Sequence, residues 1–177
     1  MRNVISSRCT LEPQVAAHAQ EMFAVLSDPA IYEFENAPPE SEEWLRKRYE
    51  RLETRCSQDG TQKYLNWVVR LPSGRLAGYV QATVLPERIS YVAYEFNSQH
   101  WRQGLGSDAL QAMLRELHEQ YDVTAFIAVL KARNYRSDGL LRKLGFVRAS
   151  KEQEAQYRDE PDEMVLVKQH PGGENAA

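Results

Sequence analysis

A strand-like segment, a two-glycine turn and an amphipathic helix follow one another without a break in this chain, and that unit limits the fold more than any other feature of it. In the segment from Ile89 to Phe96, Val92, Tyr94 and Phe96 alternate with Tyr91, Ala93 and Glu95, the two-residue period of a pleated strand. Leu110, Met113, Leu114, Leu117 and Tyr121 then fall on one helical stripe, with Asp108, Gln111, Arg115 and Glu119 opposite. Between them stands Trp101-Arg102-Gln103-Gly104-Leu105-Gly106-Ser107. Glycine permits close backbone approach, and the first turn of a helix has N–H groups without intrahelical acceptors, so the turn is built to receive an anion. A hydrogen bond to a charged group is worth about 1.5–3 kcal/mol and the helix dipole about 0.3–1 kcal/mol, so the amides would do most of the holding.

Gly104-Leu105-Gly106-Ser107-Asp108-Ala109 also satisfies the dinucleotide pattern GxGxxG/A. That reading needs a parallel sheet and an acidic residue at the end of the next strand, where the chain has Leu130-Lys131-Ala132-Arg133. A P-loop would need Gly-Lys-Ser/Thr after the glycines.

The rest of the chain supplies the context. Arg8 to Leu11 reads as a short strand, and Pro13 opens a helix with Val15, Ala19, Met22, Phe23 and Leu26 on one face, ended by Ser27-Asp28-Pro29. Ile31 to Pro39 is too aromatic for a plain linker and reads as a functional loop. Ser41 is placed to cap a second helix carrying Leu45, Tyr49 and Leu52. Tyr64 to Arg70, Arg75 to Val84 and Ile89 to Phe96 form a meander, because their connections are short enough for hairpins. After the glycine-turn helix, Thr124 to Leu130 is continuously apolar, as a strand buried on both faces would be, and a right-handed crossover lays it parallel to the strand before the turn. Asn134 to Leu144 is a helix stopped by Gly145, and Phe146 to Ala149 pairs with Glu163 to Lys168 around a polar loop, Glu152 to Asp162.

The 177 residues are read as a single domain over 1–170 and a frayed tail over 171–177. A net charge of -3 gives no general electrostatic case for nucleic acid, and no apolar run approaches the ~20 residues of a membrane span, so the expected location is cytoplasmic. Cys9, Cys56 and the scattered His18, His100, His118 and His170 form no metal-binding cluster, so no metal is expected.

This order of elements, with Gly104-Leu105-Gly106 after Trp101, Asn134-x-x-Ser137-x-x-Leu140-Leu141-x-Lys143-Leu144-Gly145-Phe146, and Asp28-Pro29-Ala30-Ile31-Tyr32, resembles the GNAT superfamily of acyl-CoA N-acyltransferases, and within it the RimJ/RimL-like branch. Trp101 stands where the general phosphate-turn motif has Gln or Arg, a substitution typical of that branch. The resemblance implies an α+β fold with a mostly antiparallel twisted sheet of about seven strands, one splayed parallel pair and about four flanking helices.

It also implies an acetyl-CoA donor, released as coenzyme A, whose pyrophosphate lies on backbone amides of Gln103, Gly104, Leu105, Gly106 and Ser107. The pantetheine arm would pair along Tyr94 to Phe96 as an added strand. Asn134 would reach the cofactor near the thioester or cap its helix, and one side chain could do both. The reaction implied is direct attack of a primary amine, either a protein N-terminal amine or a small molecule. Glu95 is then the first candidate for general base, with Glu33 and Glu35 behind it, a water chain in place of a direct carboxylate as the family's alternative, and a solvated strand carboxylate as the other reading. Ser137, or Tyr135 from the same loop, would protonate the leaving thiolate; Ser137 as a second helix cap is the alternative. Tyr32, Glu33, Phe34 and Glu35 are candidate acceptor contacts. The acid-rich stretches Glu33 to Glu43 and Asp159 to Glu163 would favour a cationic amine if they faced each other across the cleft, and would otherwise be solvated surface. A non-catalytic acyl-CoA-binding or regulatory module remains the alternative function. A homodimer through the final hairpin or a sheet edge is compatible with the pattern.

Overall fold

A computed structural model describes residues 1–170; the expected tail at 171–177 lies outside the described residues. The chain runs β1 (Val4–Ile5), β2 (Thr10–Pro13), α1 (Ala19–Leu26), α2 (Glu42–Leu52), β3 (Lys63–Arg70), β4 (Leu76–Val84), β5 (Ile89–Phe96), α3 (Leu105–Tyr121), β6 (Ala125–Lys131), α4 (Tyr135–Lys143), β7 (Val147–Arg148), α5 (Lys151–Tyr157) and β8 (Glu163–Gln169). One sheet of eight strands takes the order β1-β2-β3-β4-β5-β6-β8-β7.

The two largest departures from expectation are β1 and α5. A two-residue strand carries too little alternation to be read from sequence, and β1 exists because Val4 and Ile5 pair with Leu11 and Thr10. The stretch read as a polar loop contains α5, which has no apolar stripe. Its start is instead fixed by a capping box in which the Ser150 hydroxyl accepts from the Gln153 amide and the Gln153 side chain accepts from the Ser150 amide. Pro13 ends β2 rather than opening a helix, and α1 begins at Ala19 after a short 3-10 turn.

Each face of the sheet is covered. Trp67, Val69, Val80, Val92 and Phe126 face α3, whose Ala109, Leu110, Met113 and Leu117 are almost wholly buried, in the main core. Val68, Leu76 and Tyr79 face α1 and α2 and pack with Met22, Leu26, Leu45 and Tyr49. The Ser41 hydroxyl caps α2 by accepting the Trp44 amide at 3.0 Å, as the sequence predicts.

The feature that positions the site is a ladder that stops. β5 pairs with β4 from Ser90 to Phe96, but with parallel β6 only at Ile89–Ala125, Ser90–Phe126 and Tyr91–Ile127. Beyond Tyr91 the two strands part. Among the described residues, the edge of β5 from Val92 to Phe96 has no strand partner on its β6 side, just before the glycine turn.

Candidate active site

At the end of β5 the Trp101 indole N–H donates to the Phe96 carbonyl at 2.8 Å, which folds the chain back toward α3. Arg102 and Gly104 then both take left-handed backbone, with φ of 59° and 81°. The first bond of the α3 ladder is Asp108 N–H to the Gly104 carbonyl at 3.1 Å, so the amides of Leu105, Gly106 and Ser107 have no intrahelical acceptor. Gly106 has little room: a Cβ there would stand 3.2 Å from Leu140 Cδ2 and 3.6 Å from the Phe96 ring. Helix α4 is thereby held against the turn.

A cation from the N-terminal loop reaches this turn, and no local pattern signals it. Asp108 in the first turn of α3 accepts from the Ser6 hydroxyl, from the Ser7 hydroxyl at 2.7 Å and from the Arg8 amide at 3.0 Å. Burial pushes the Asp108 carboxyl up, but these bonds outweigh it and its pKa falls below the usual carboxylate value. The tethered loop sets the Arg8 guanidinium 3.5 Å from where a Cβ on Gly104 would be.

The splay opens into a cavity of about 810 Å³ lined from both faces of the sheet. Val92, Tyr94, Phe96 and Leu140 line it beside the turn; Ala93, Glu95, Tyr79 and Gln81 line it beneath α2. The opening between β5 and β6 therefore joins the glycine-turn face to the α1/α2 face. Gly104, Gly106, Ser107, Asn134, Tyr135 and Ser137 also line it. Gln103 and Leu105 do not: the Gln103 side chain donates to the Gln99 carbonyl at 2.7 Å, and the Leu105 side chain is in the core. Only their backbones can serve the turn.

Glu95 points to the α1/α2 side, opposite Tyr94 and Phe96, as strand alternation requires. Burial raises its pKa to about 6, against hydrogen bonds donated by Tyr79 and Asn36 that favour the charged form. The Asn36 contact is 3.3 Å. Tyr79 is its cross-strand partner, and burial drives that phenol well above the usual value. At α4 the Asn134 Oδ1 accepts the Ser137 amide at 3.1 Å, the helix cap expected of it, while its Nδ2 lies 3.5 Å from Glu35. Burial raises the Glu35 carboxyl as well. Tyr94 sends its hydroxyl to the Ser137 carbonyl at 3.5 Å, and burial raises its pKa to about 12.

The aromatic loop lies across this cavity. Asp28 anchors it, accepting from the Ala30 amide at 3.0 Å and the Ser98 amide at 2.7 Å, which fastens the start of the loop to the end of β5. Arg133 donates to the Phe34 carbonyl at 2.9 Å, and Phe34 meets Tyr135 edge to face at 5.6 Å. Arg136 pairs with Glu33 at 2.6 Å and stacks over Trp101 at 4.6 Å and Phe34 at 5.3 Å. Glu33 is thus engaged outside the cavity, whereas Tyr32, Phe34 and Glu35 line it. The acid-rich stretches approach each other at Glu35, whose carboxyl feels Asp162 and Glu163 as well as Lys131, while several of their other acids are ion-paired. Glu43 pairs with Arg46 and Lys47, and Glu160, Asp162 and Glu163 gather around Lys131. Among the described residues no cluster of three potential metal ligands occurs, and no helix is long and apolar enough to cross a membrane.

Solved structures share this fold over nearly the whole chain. A RimL ribosomal L7/L12 alpha-N-protein acetyltransferase in complex with coenzyme A has 18% identity and a TM-score of 0.78, covering 94% of this chain and 97% of its own. A ribosomal-protein-S5-alanine acetyltransferase from Vibrio fischeri has 17% identity and a TM-score of 0.73, covering 95% and 98%. The microcin C7 self-immunity acetyltransferase MccE, in complex with acetyl-CoA and AMP, has 15% identity and a TM-score of 0.74, covering 93% and 93%. Comparison with curated protein sequences gave no match. The profile of the family described as acetyltransferase (GNAT) domain matches residues 8–147, which takes in the aromatic loop, the glycine turn, the splayed strands and α4, and the chain belongs to that family.

Proposed function

We propose that this protein transfers an acetyl group from acetyl-CoA directly to a primary amine, with Glu95 as the general base. The observation that carries the reading is the passage at the parting of β5 and β6, with the glycine turn at one mouth and the buried Glu95 carboxyl at the other. The donor fits the residues present: free first-turn amides, glycine where a Cβ would crowd the turn, an unpaired strand edge from Val92 to Phe96, and Arg8 beside Gly104. Acetyl-CoA supplies an acyl group already activated as a thioester.

The protein's part is to orient and to move protons. Amides of Gln103 to Ser107 hold the pyrophosphate, with Arg8 as an added cation, and the Tyr94–Phe96 edge aligns the arm. Glu95 takes one proton from the amine as nitrogen bonds to the acyl carbon. At pH 7 a carboxyl of pKa about 6 is roughly nine-tenths ionised, so it is ready to accept. An α-amine, with pKa near 7.7–8.0, needs about 1 kcal/mol to lose its proton at that pH; a lysine-like amine near 10.4 needs about 4–5 kcal/mol. A base of this modest strength suits the α-amine. The Ser137 or Tyr135 hydroxyl gives a proton to the departing sulfur, and Asn134, fixed by its cap, presents Nδ2 beside Glu35. The acceptor is a protein N-terminal amine or a small amine with similar basicity, and the site of action is the cytoplasm.

Thermal unfolding with and without acetyl-CoA, followed by thiol release with a panel of amines, tests this. A ligand at 100 times its Kd stabilises by about 2.7 kcal/mol, so a clear rise in Tm with acetyl-CoA and none with NAD or ATP is expected. No rise at saturating acetyl-CoA would overturn it.

A further inference from the structure

The α1/α2 side of the cavity contains a row of uncharged polar side chains that the proposed chemistry does not use. Gln14 follows β2 and donates its amide N–H to the Asn66 carbonyl at 2.9 Å. Asn66 is the register partner of Gln81, and Gln81 of Ala93, two residues before Glu95 on the same face. Gln14, Asn66, Gln81 and Ala93 therefore form one line across four strands, and all four line the cavity. Helix α2 roofs the line with Tyr49.

A buried polar row beneath a helix is normally self-satisfied, and this one is not. Among the described residues, Gln14 is 4% exposed and its Nε2 has no hydrogen-bond partner, and Tyr49 is 4% exposed and its hydroxyl has none either. Unpaired buried polar atoms are rare in folded proteins because each forfeits its bonds to water. Two of them in the wall of one cavity, both flanking the line that leads to Glu95, mark groups kept for a ligand. Tyr49 lies near the Glu95 end, close enough to the Glu95 carboxyl for it to oppose ionisation of the Tyr49 phenol. Gln14 lies at the far end, where Arg55 binds the Gln14 and Asn66 carbonyls.

Charge selects the ligand further. The carboxylates lining the cavity, Glu35 and Glu95, both lie toward β5 and α4, while the row itself offers amides and hydroxyls, with the cation Arg48 beside Tyr49. A second positive charge on the acceptor would find no carboxylate there. From the β5 column to the β2 column is three strand spacings, roughly 14 Å, the length of about four extended residues.

Resting on the acetyltransferase reading, we infer that the acceptor is a primary amine followed by an uncharged, extended chain of amide or hydroxyl groups, which lies along Ala93, Gln81 and Asn66 and is bonded by Tyr49 near its amine end and by Gln14 near its far end. A peptide N-terminus has this chemistry over its full length, and a small polar amine has only the part nearest the nitrogen.

The test is kcat/KM at saturating acetyl-CoA for the tetrapeptide amide Ser-Ala-Ser-Ala-NH2, serinamide, butylamine and spermidine, on the full chain and on its Gln14→Met and Tyr49→Phe variants, with Tm for each. The tetrapeptide amide is expected to be the best acceptor. Gln14→Met should lower its kcat/KM roughly tenfold, mostly through KM, and lower that of serinamide far less. Tyr49→Phe should lower both. Each substitution removes an unpartnered buried polar atom, so Tm should hold or rise, which a merely structural role would not give. Spermidine as the best acceptor, or a loss shared equally by butylamine, would overturn the inference. So would serinamide matching the tetrapeptide amide with Gln14→Met silent. In each of those cases acetyl transfer itself would still stand. Thiol release with none of the four amines would instead overturn the acetyltransferase reading, and this inference with it.

Discussion

The Glu95 carboxyl, the proposed general base, is held by burial in a state that costs stability once it is ionised. Its pKa of about 6, against an ordinary 4.5, means the folded protein binds that proton more tightly than the unfolded chain does. The sign follows from this. The contribution is fully present below pH 4.5 and is lost as pH rises through about 6, so at pH 8 the ionised carboxylate weakens the fold by roughly 2 kcal/mol. Glu95→Gln should therefore be more stable than the parent at pH 8, by up to about 2 kcal/mol, and nearly equal to it at pH 4. Urea unfolding at the two pH values would measure this, and a Glu95→Gln protein less stable at pH 8 would show that the carboxylate is held by its partners instead. The side of the strand on which Glu95 falls was legible in the two-residue alternation of Tyr91, Ala93 and Glu95. Its partners were not, because Tyr79 comes from the neighbouring strand and Asn36 from a loop 59 residues away. The orphaned Gln14 and Tyr49 were illegible for a related reason: local sequence cannot show that a polar atom lacks a partner.

The glycine turn, the crossover helix and the buried strand were readable because each has a local signature: two glycines, a helical stripe and a continuous apolar run. The Asn134 cap and the Ser41 cap were readable in the same way. The parting of β5 from β6 was implied by the family resemblance and not by the local pattern, since strand alternation in β5 continues unchanged past Tyr91, where pairing ends. Helix α5 was missed because its start rests on a capping box and its burial on single contacts such as Tyr157 against Tyr91, not on a stripe. The tether of the N-terminal loop to α3 predicts that Asp108→Ala, which removes the acceptor for two hydroxyls and an amide, costs about 2 kcal/mol in chemical unfolding. The same substitution should raise KM for acetyl-CoA severalfold by releasing Arg8. Unchanged KM would mean that Arg8 takes no part in phosphate binding. Gly104→Ala should cost about 1 kcal/mol, because alanine must then hold a φ of 81°.

Over the whole molecule, the sheet separates the proposed donor side from the proposed acceptor side, and the break in its ladder joins them. Helices α3 and α4 present the turn and the residues suited to the leaving thiol on one face, while α1 and α2 cover Glu95 and the polar row on the other. The aromatic loop spans the two halves, fastened through Asp28 to β5 and through Arg133 and Arg136 to the start of α4. Most of this order followed from the succession of hydrophobic periods along the chain. The acid-rich stretches carried two readings in the sequence, and several of their acids are ion-paired: Glu43 to Arg46 within one turn of helix, but Glu33 to Arg136 and Glu160 and Asp162 to Lys131 only through the assembled fold. The proposal on which the rest depends is that the passage through the sheet is a reaction centre with Glu95 as its base. The rate of acetyl-CoA-dependent acetylation of a peptide α-amine between pH 5 and pH 9, for the parent and for Glu95→Gln, tests that most directly. The parent kcat is expected to fall as pH drops through about 6, and the Glu95→Gln rate to be lower by roughly 10²–10⁴ with that limb gone. An unchanged profile in Glu95→Gln, or binding of acetyl-CoA with no acetylation at any pH, would contradict it.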